Sequence, residues 1–179
     1  TLVMKIHQSN YKIVGFTEEA SIADLVGLGV PIVGDIGSGL LDASCPWLPS
    51  GPPAWLANEP AAKQTLEAGA NLITFSGDKI LGGPQAGIIA GDADLVDACA
   101  RHPLARALRP GGLVLRALQD VALTYLKRDY AALPFWAMAT TPVADLRARA
   151  EKIGVGTVVD LMAVPGGGTL PGIEIPSVG

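Results

Sequence analysis

An α/β domain built on a parallel sheet is the fold class the sequence predicts, and three observations carry that prediction. Short apolar runs at residues 2–6, 31–35, 71–75 and 86–90 have the length of buried strands, and helix signals lie between and after them. The connections are short, so strand, helix and strand alternate as a parallel sheet requires. Hydrophobic residues make up 49% of the 179 and charged residues 17%, the balance of a packed globular chain and not of a disordered one.

Taken in order, Leu2 to Ile6 reads as a buried strand, closed at its carboxyl end by the polar run His7 to Tyr11. Thr17 is the expected N-cap of a helix reaching Gly27 or Gly29, with Glu18 and Glu19 at the positive end of its dipole. Pro31 to Asp35 is a short strand that ends on a carboxylate, and residues 44–60, rich in proline and tryptophan, predict an irregular loop. Pro60 suits the first turn of a helix that runs through Ala68 and closes at Gly69. Asn71 to Phe75 is the next strand, Ser76 to Pro84 a glycine-rich turn, Ala86 to Ala90 a further strand, and Asp92 to Arg101 a helix. Past Pro110-Gly111-Gly112 a long amphipathic helix is expected over Leu113 to Lys127, and another helix over Val143 to Ile153. A strand near Thr157 to Met162 and a Gly/Pro-rich loop then open a small α+β domain. The chain starts directly in an apolar run and stops in mid-pattern, so it is expected to be a piece of a longer protein.

A net charge of −4 argues against a general nucleic-acid-binding surface within these residues, because such surfaces are strongly basic. A nucleic-acid partner would be held by another part of a longer protein. Cys45 and Cys99 form no C-x-x-C pair and no disulfide framework, and read as reduced thiols of an intracellular protein. No apolar stretch approaches the roughly 20 residues of a membrane span.

In open parallel sheets chemistry collects at the carboxyl ends of the strands. Three such ends are polar: His7 to Tyr11, Asp35, and Ser76 to Lys79. They converge if their strands are neighbours. Lys79, alone, would read as an exposed loop lysine. Its place just past a buried strand makes it partly desolvated, the state in which an amine serves as a nucleophile. Ser76 stands where a phosphate-binding hydroxyl would, and Gly77, Gly82 and Gly83 would let backbone amides approach an anion. Asp35 is either a turn residue or the carboxylate that keeps a pyridinium nitrogen protonated, so that the ring acts as an electron sink. Arg106 and Arg109 fall on one face if their segment is helical, where two guanidiniums would clamp an oxyanion. His7 and His102 read as structural. The chain has no P-loop, no dinucleotide fingerprint and no serine-hydrolase elbow.

Four segments, HQSNYKIVGFTEE (7–19), PIVGDIGSGLL (31–41), TFSGDKILGGPQAGII (74–89) and HPLARALR (102–109), together resemble the bacterial selenocysteine synthase family, the L-seryl-tRNA(Sec) selenium transferases. The resemblance runs from about residue 2 to 150, and TFSGDKILGGPQAG is its most specific part. It implies the three-layer fold of aspartate aminotransferase, pyridoxal 5'-phosphate (PLP) fold type I. Residues 1–112 would be the C-terminal portion of the PLP-binding large domain, and 113–179 a connecting helix with part of the small C-terminal domain. Lys79 would hold PLP as a Schiff base, Asp78 would assist the elimination, Asp35 would pair with the pyridine nitrogen and Ser76 would contact the cofactor phosphate. Arg106 and Arg109 would bind the phosphate-like selenium donor. The implied reaction converts seryl-tRNA(Sec) to selenocysteinyl-tRNA(Sec) with selenophosphate, through an aminoacryloyl-tRNA, in a large cytoplasmic homo-oligomer. The region before Thr1 would carry the tRNA-binding part and the phosphate loop. Two other readings fit the same residues: a related PLP lyase acting on a small amino acid or amino sugar phosphate, and a non-catalytic fragment.

Overall fold

The computed structural model describes residues 1–9, 11, 13–165 and 170–179. Asn10 in the polar run and residues 166–169 of the Gly/Pro-rich loop lie outside that description. Four strands form one sheet in the order β1 (Val3–Ile6), β2 (Ile32–Gly37), β3 (Leu72–Ser76), β4 (Gly87–Gly91). The first three are parallel neighbours, as expected. β4 departs from the expectation of a parallel sheet: it runs antiparallel to β3. The reason is the connection, since residues 77–86 make a tight turn and a parallel return needs a crossover of about a dozen residues or more. β2 is the central apolar strand, with Ile32, Val33 and Ile36 buried.

Helices α1 (Ile22–Leu25) and α2 (Ala62–Glu67) cover one face of β2, with Ile22 and Thr65 over Gly34. α1 corrects the expected start at Thr17. Ser21 is the cap, because its hydroxyl accepts from the Asp24 amide (3.2 Å) while the Asp24 carboxylate accepts from the Ser21 amide (2.8 Å). That reciprocal pair needs an acidic side chain three residues on, which Ser21 has and Thr17 lacks. The helix is also shorter than expected, passing into a 3-10 turn over Val26–Leu28. Glu19, left ahead of it, pairs with Lys5 on β1. The 44–60 loop is irregular apart from a 3-10 turn at Ala54–Leu56.

α3 (Ala93–Arg101) starts on its Asp92 cap, and α4 (Pro103–Ala107) follows at once. α5 (Gly112–Leu126) matches the expected long helix. α6 (Pro134–Ala139), preceded by a 3-10 turn at Tyr130–Ala132, was not legible as an element. α7 (Val143–Ile153) has the expected bounds. β5 (Asp160–Ala163) starts later than Thr157 and pairs antiparallel with β6 (Ile175–Val178), which the sequence reading had not resolved. No helix among the described residues is long and apolar enough to cross a membrane.

The part of the core that matters for the site lies between α5, α6 and the turn after β3. Trp136 is fully buried, its indole N–H donates to the Tyr125 oxygen (2.7 Å), and the Tyr125 hydroxyl donates to the Leu81 carbonyl (3.1 Å). Trp47 meets Tyr125 edge-on, ring centroids 4.8 Å apart, an arrangement aromatic pairs favour. Burial pushes the Tyr125 phenol well above its ordinary range, so it remains a donor.

Candidate active site

Parallel pairing brings the polar strand ends together. Ile6 of β1, Asp35 of β2 and Thr74 of β3 lie in one register row, so the three chains leave the sheet side by side. The β1–β2 ladder continues one step further, with the His7 amide donating to the Asp35 carbonyl (2.8 Å). Above this edge the Lys79 ammonium donates to the Ser9 hydroxyl (3.1 Å). Ser9 comes from the end of β1 and Lys79 from the turn after β3, so the contact spans β2 between them.

Gly37 at the end of β2 makes room for that contact. Its φ is +67°, and a Cβ there would stand 2.6 Å from the Ser9 oxygen and 3.8 Å from the Lys79 nitrogen. A side chain would therefore fill the space around the amine. Two further bonds hold the turn: the Ile80 amide donates to the Ser38 carbonyl (2.9 Å), and the Gly82 amide to the Lys79 carbonyl (2.9 Å). Tyr125 secures the far side at Leu81.

The glycine amides do not serve the expected purpose. Those of Gly77 and Gly83 are spent within the turn, on the carbonyls of Ala86 and Gly77 (both 2.8 Å), and Gly82 on Lys79, so none of the three is a free anion donor. The glycine at 77 is explained by close approach, because a Cβ would stand 2.5 Å from the Pro84 carbonyl oxygen.

Asp35 is half-buried, and Oδ1 accepts from the Thr74 hydroxyl (2.9 Å). No other side-chain partner engages it among the described residues. It lines a cleft of about 810 Å3 together with Thr74, Ser76, His102 and Arg109. Arg106 does not line this cleft. α4 carries Arg106 in its last turn and ends at Leu108, so Arg109 lies past the helix, not one helical turn further along it. The one-face argument for the two arginines is thus corrected, and both are exposed. Asp78 is exposed beside Lys79. The structure therefore unites Lys79 with the β1 end, and Asp35 with Ser76 and Arg109.

Ser9, Thr74 and Gly37 were missed as site residues. Ser9 was visible only as one polar residue in a run of five. Thr74 had the look of an ordinary β-branched strand residue. A further carboxylate, Glu59, also reaches the strand ends: its Oε2 is 3.5 Å from His7 Nε2.

These residues have the chemistry to hold a pyridoxal group. The half-buried amine engages only the Ser9 hydroxyl among the described residues, glycine leaves open the space beside it, and a carboxylate two positions before that glycine has one oxygen unengaged.

The family model for L-seryl-tRNA selenium transferase (SelA) matches residues 1–179. The chain belongs to that family. An L-seryl-tRNA(Sec) selenium transferase of Carboxydothermus hydrogenoformans is 44% identical across 85% of this chain and 32% of the relative. Those of Moorella thermoacetica and Geobacter metallireducens are 42% and 39% identical, each across 98% of this chain and 40% of the relative. The chain thus spans between 32% and 40% of the length of these relatives. Among solved structures, a D-glucosaminate-6-phosphate ammonia-lyase has a similar fold over 99% of this chain and 40% of its own, with a TM-score of 0.58 and 20% identity.

Proposed function

We propose that this chain is the lysine-bearing part of a PLP-dependent transferase that converts seryl-tRNA(Sec) to selenocysteinyl-tRNA(Sec) with selenophosphate as donor. The observation that carries the reading is the Lys79 amine above Gly37 and beside Ser9, at the carboxyl ends of three parallel strands. Family membership supplies the substrate class. In this reading residues 1–112 belong to the large domain of a three-layer, aspartate-aminotransferase-like fold, and 113–179 are the connecting helix and part of the small domain. The whole protein is a cytoplasmic homo-oligomer, and its remaining length holds the tRNA and the cofactor's phosphate loop.

PLP, when bound, supplies an electron sink for the charge left at the substrate Cα. Lys79 would be the amine that holds it, and its nitrogen would be the general base for the substrate Cα proton. Asp35, braced by Thr74, holds a proton on the pyridine nitrogen. Ser9 keeps the Lys79 amine turned toward the strand ends, and Ser76 donates to the cofactor phosphate. Asp78 assists departure of the β-hydroxyl. Arg109, which lines the cleft with Asp35, holds the anionic donor by charge-assisted hydrogen bonds, and Arg106 contributes positive charge from outside the cleft.

The test is an assay of the full-length protein with seryl-tRNA(Sec) and selenophosphate. Selenocysteinyl-tRNA(Sec) should form, and should depend on both substrates. Release of ammonia and a keto acid from a small amino acid or amino sugar phosphate, without tRNA, would overturn the reading in favour of a lyase.

A further inference from the structure

The reaction above gives no task to His102, an exposed residue that lines the cleft together with Asp35, Ser76 and Arg109. The residue caps α4, since its Nδ1 accepts from the Leu104 amide (3.2 Å). Imidazole is not among the side chains that helix starts favour, where Asn, Asp, Ser and Thr lead. Capping alone therefore does not account for a histidine at this place.

Accepting at Nδ1 fixes what the rest of the ring can do. A neutral imidazole has one donor and one acceptor nitrogen, so with Nδ1 as acceptor the proton is on Nε2. That N–H lies across the ring from the capped amide and has no partner among the described residues. The ring is also held in place. The His102 amide donates to the Cys99 carbonyl (3.2 Å), and Pro103 keeps the backbone before it extended, at φ −65° and ψ 138°. His102 thus offers one donor from a fixed point on the cleft wall.

The lining says what such a donor can meet. Leu104, Ala105 and Leu108 border the same cleft, so α4 lies along its wall with His102 at one end and Arg109 past the other. Five residues of helix span only about 7.5 Å, a length that one small ion and a long arginine side chain can bridge. Both groups only donate, so they suit a ligand rich in acceptors. Asp35 is the one carboxylate on this wall, and in the reading above its charge is offset by the pyridine nitrogen.

We propose that His102 is a further binding residue for the anionic donor, its Nε2–H donating to a phosphoryl oxygen of the ion that Arg109 holds. The proposal rests on the transferase reading and deepens it. The guanidinium supplies charge, and the neutral N–H supplies direction, requiring an oxygen at one place.

The experiment uses the full-length holoenzyme. His102→Asn keeps the cap, because its side-chain oxygen accepts from the same amide, but its short side chain leaves nothing at the place of Nε2. The KM for selenophosphate should rise about tenfold, the low end for a hydrogen bond to a charged group. The KM for seryl-tRNA(Sec), kcat at saturating donor and thermal stability should stay close to wild type. His102→Ala should show the same rise and also lose thermal stability, having lost the cap. Thiophosphate bound to holoenzyme without tRNA, measured by calorimetry, should be held more weakly by the same factor in both variants. A wild-type donor KM and wild-type thiophosphate binding in His102→Asn would overturn the proposal and leave His102 a cap. So would a weaker hold on PLP with the donor KM unchanged, because the ring would then be reading the cofactor's phosphate. If the wild type forms no selenocysteinyl-tRNA(Sec) while thiophosphate binding still falls in His102→Asn, the transferase reading fails and the anion contact stands.

Discussion

Behind the turn that carries Lys79, Tyr125 and Trp136 satisfy each other and tie the Leu81 carbonyl to α5; in front of it, Lys79 and Asp35 each keep bonding capacity to spare among the described residues. The two sides teach how a site is supported. The back is apolar and aromatic, and its polar atoms bond inward, so it fixes the turn's position. The front is polar and only partly paired, so its groups remain available to a substrate. A reactive group needs this rigid support if it is to be held without being consumed by its own protein.

The comparison can be broken from either side. The largest effect is expected at the back: Trp136→Ala removes a fully buried indole and should cost the full-length protein about 3–5 kcal/mol in urea unfolding. A loss under about 1 kcal/mol would mean that α6 does not support the turn. At the front, Asp35→Ala should leave stability nearly unchanged and slow turnover on the order of a hundredfold or more, as loss of one preorganised electrostatic group does. Near-normal turnover would make Asp35 a turn residue only.

A smaller front effect separates the arginines. Arg109→Ala should weaken use of the anionic donor by roughly ten- to hundredfold, the worth of about 1.5–3 kcal/mol for hydrogen bonds to a charged group. Arg106→Ala should do less, since only Arg109 lines the cleft with Asp35. The reverse order, measured as the donor KM, would mean that the cleft is not where the donor sits. At the back again, Tyr125→Phe strands the Trp136 indole N–H and should cost about 1–3 kcal/mol with turnover largely kept.

The smallest effect lies away from both sides. Asp42 accepts from the Ser44 amide (2.9 Å), from Gln64 (3.0 Å) and from Lys63 (3.1 Å), which together hold its carboxyl far below the usual range, the Ser44 amide most of all. A depressed carboxyl stabilises above its unfolded pKa of about 3.9, and that contribution is lost as pH falls through the folded value. Asp42→Asn should therefore cost about 1 kcal/mol at pH 7, and less as pH drops from 4 toward 2. A deficit of the same size at pH 7 and pH 2 would contradict this.

What was legible in the sequence was local. α7 (Val143–Ile153) lies between Pro142 and Gly154, two residues that bound a helix on their own, and the strands and the Lys79 turn carry equally local signals. What was hidden depends on distance along the chain. The direction of β4 follows from how tightly residues 77–86 fold back, and the Lys79–Ser9 contact joins positions 70 apart. Glu59 reaches His7 only because a 3-10 turn ends beside it within an otherwise irregular loop. The arginine pair failed for a local reason read too simply: the segment is helical, but the helix stops between them.

The central claim is that Lys79 is the cofactor's lysine, and covalent mapping tests it most directly. The full-length protein, loaded with PLP, is reduced with borohydride, digested and analysed by mass spectrometry. The account predicts a phosphopyridoxyl group on Lys79 in the peptide that spans Ser76 to Pro84. A label on Lys5, Lys12 or Lys63, with Lys79 unmodified, would contradict it.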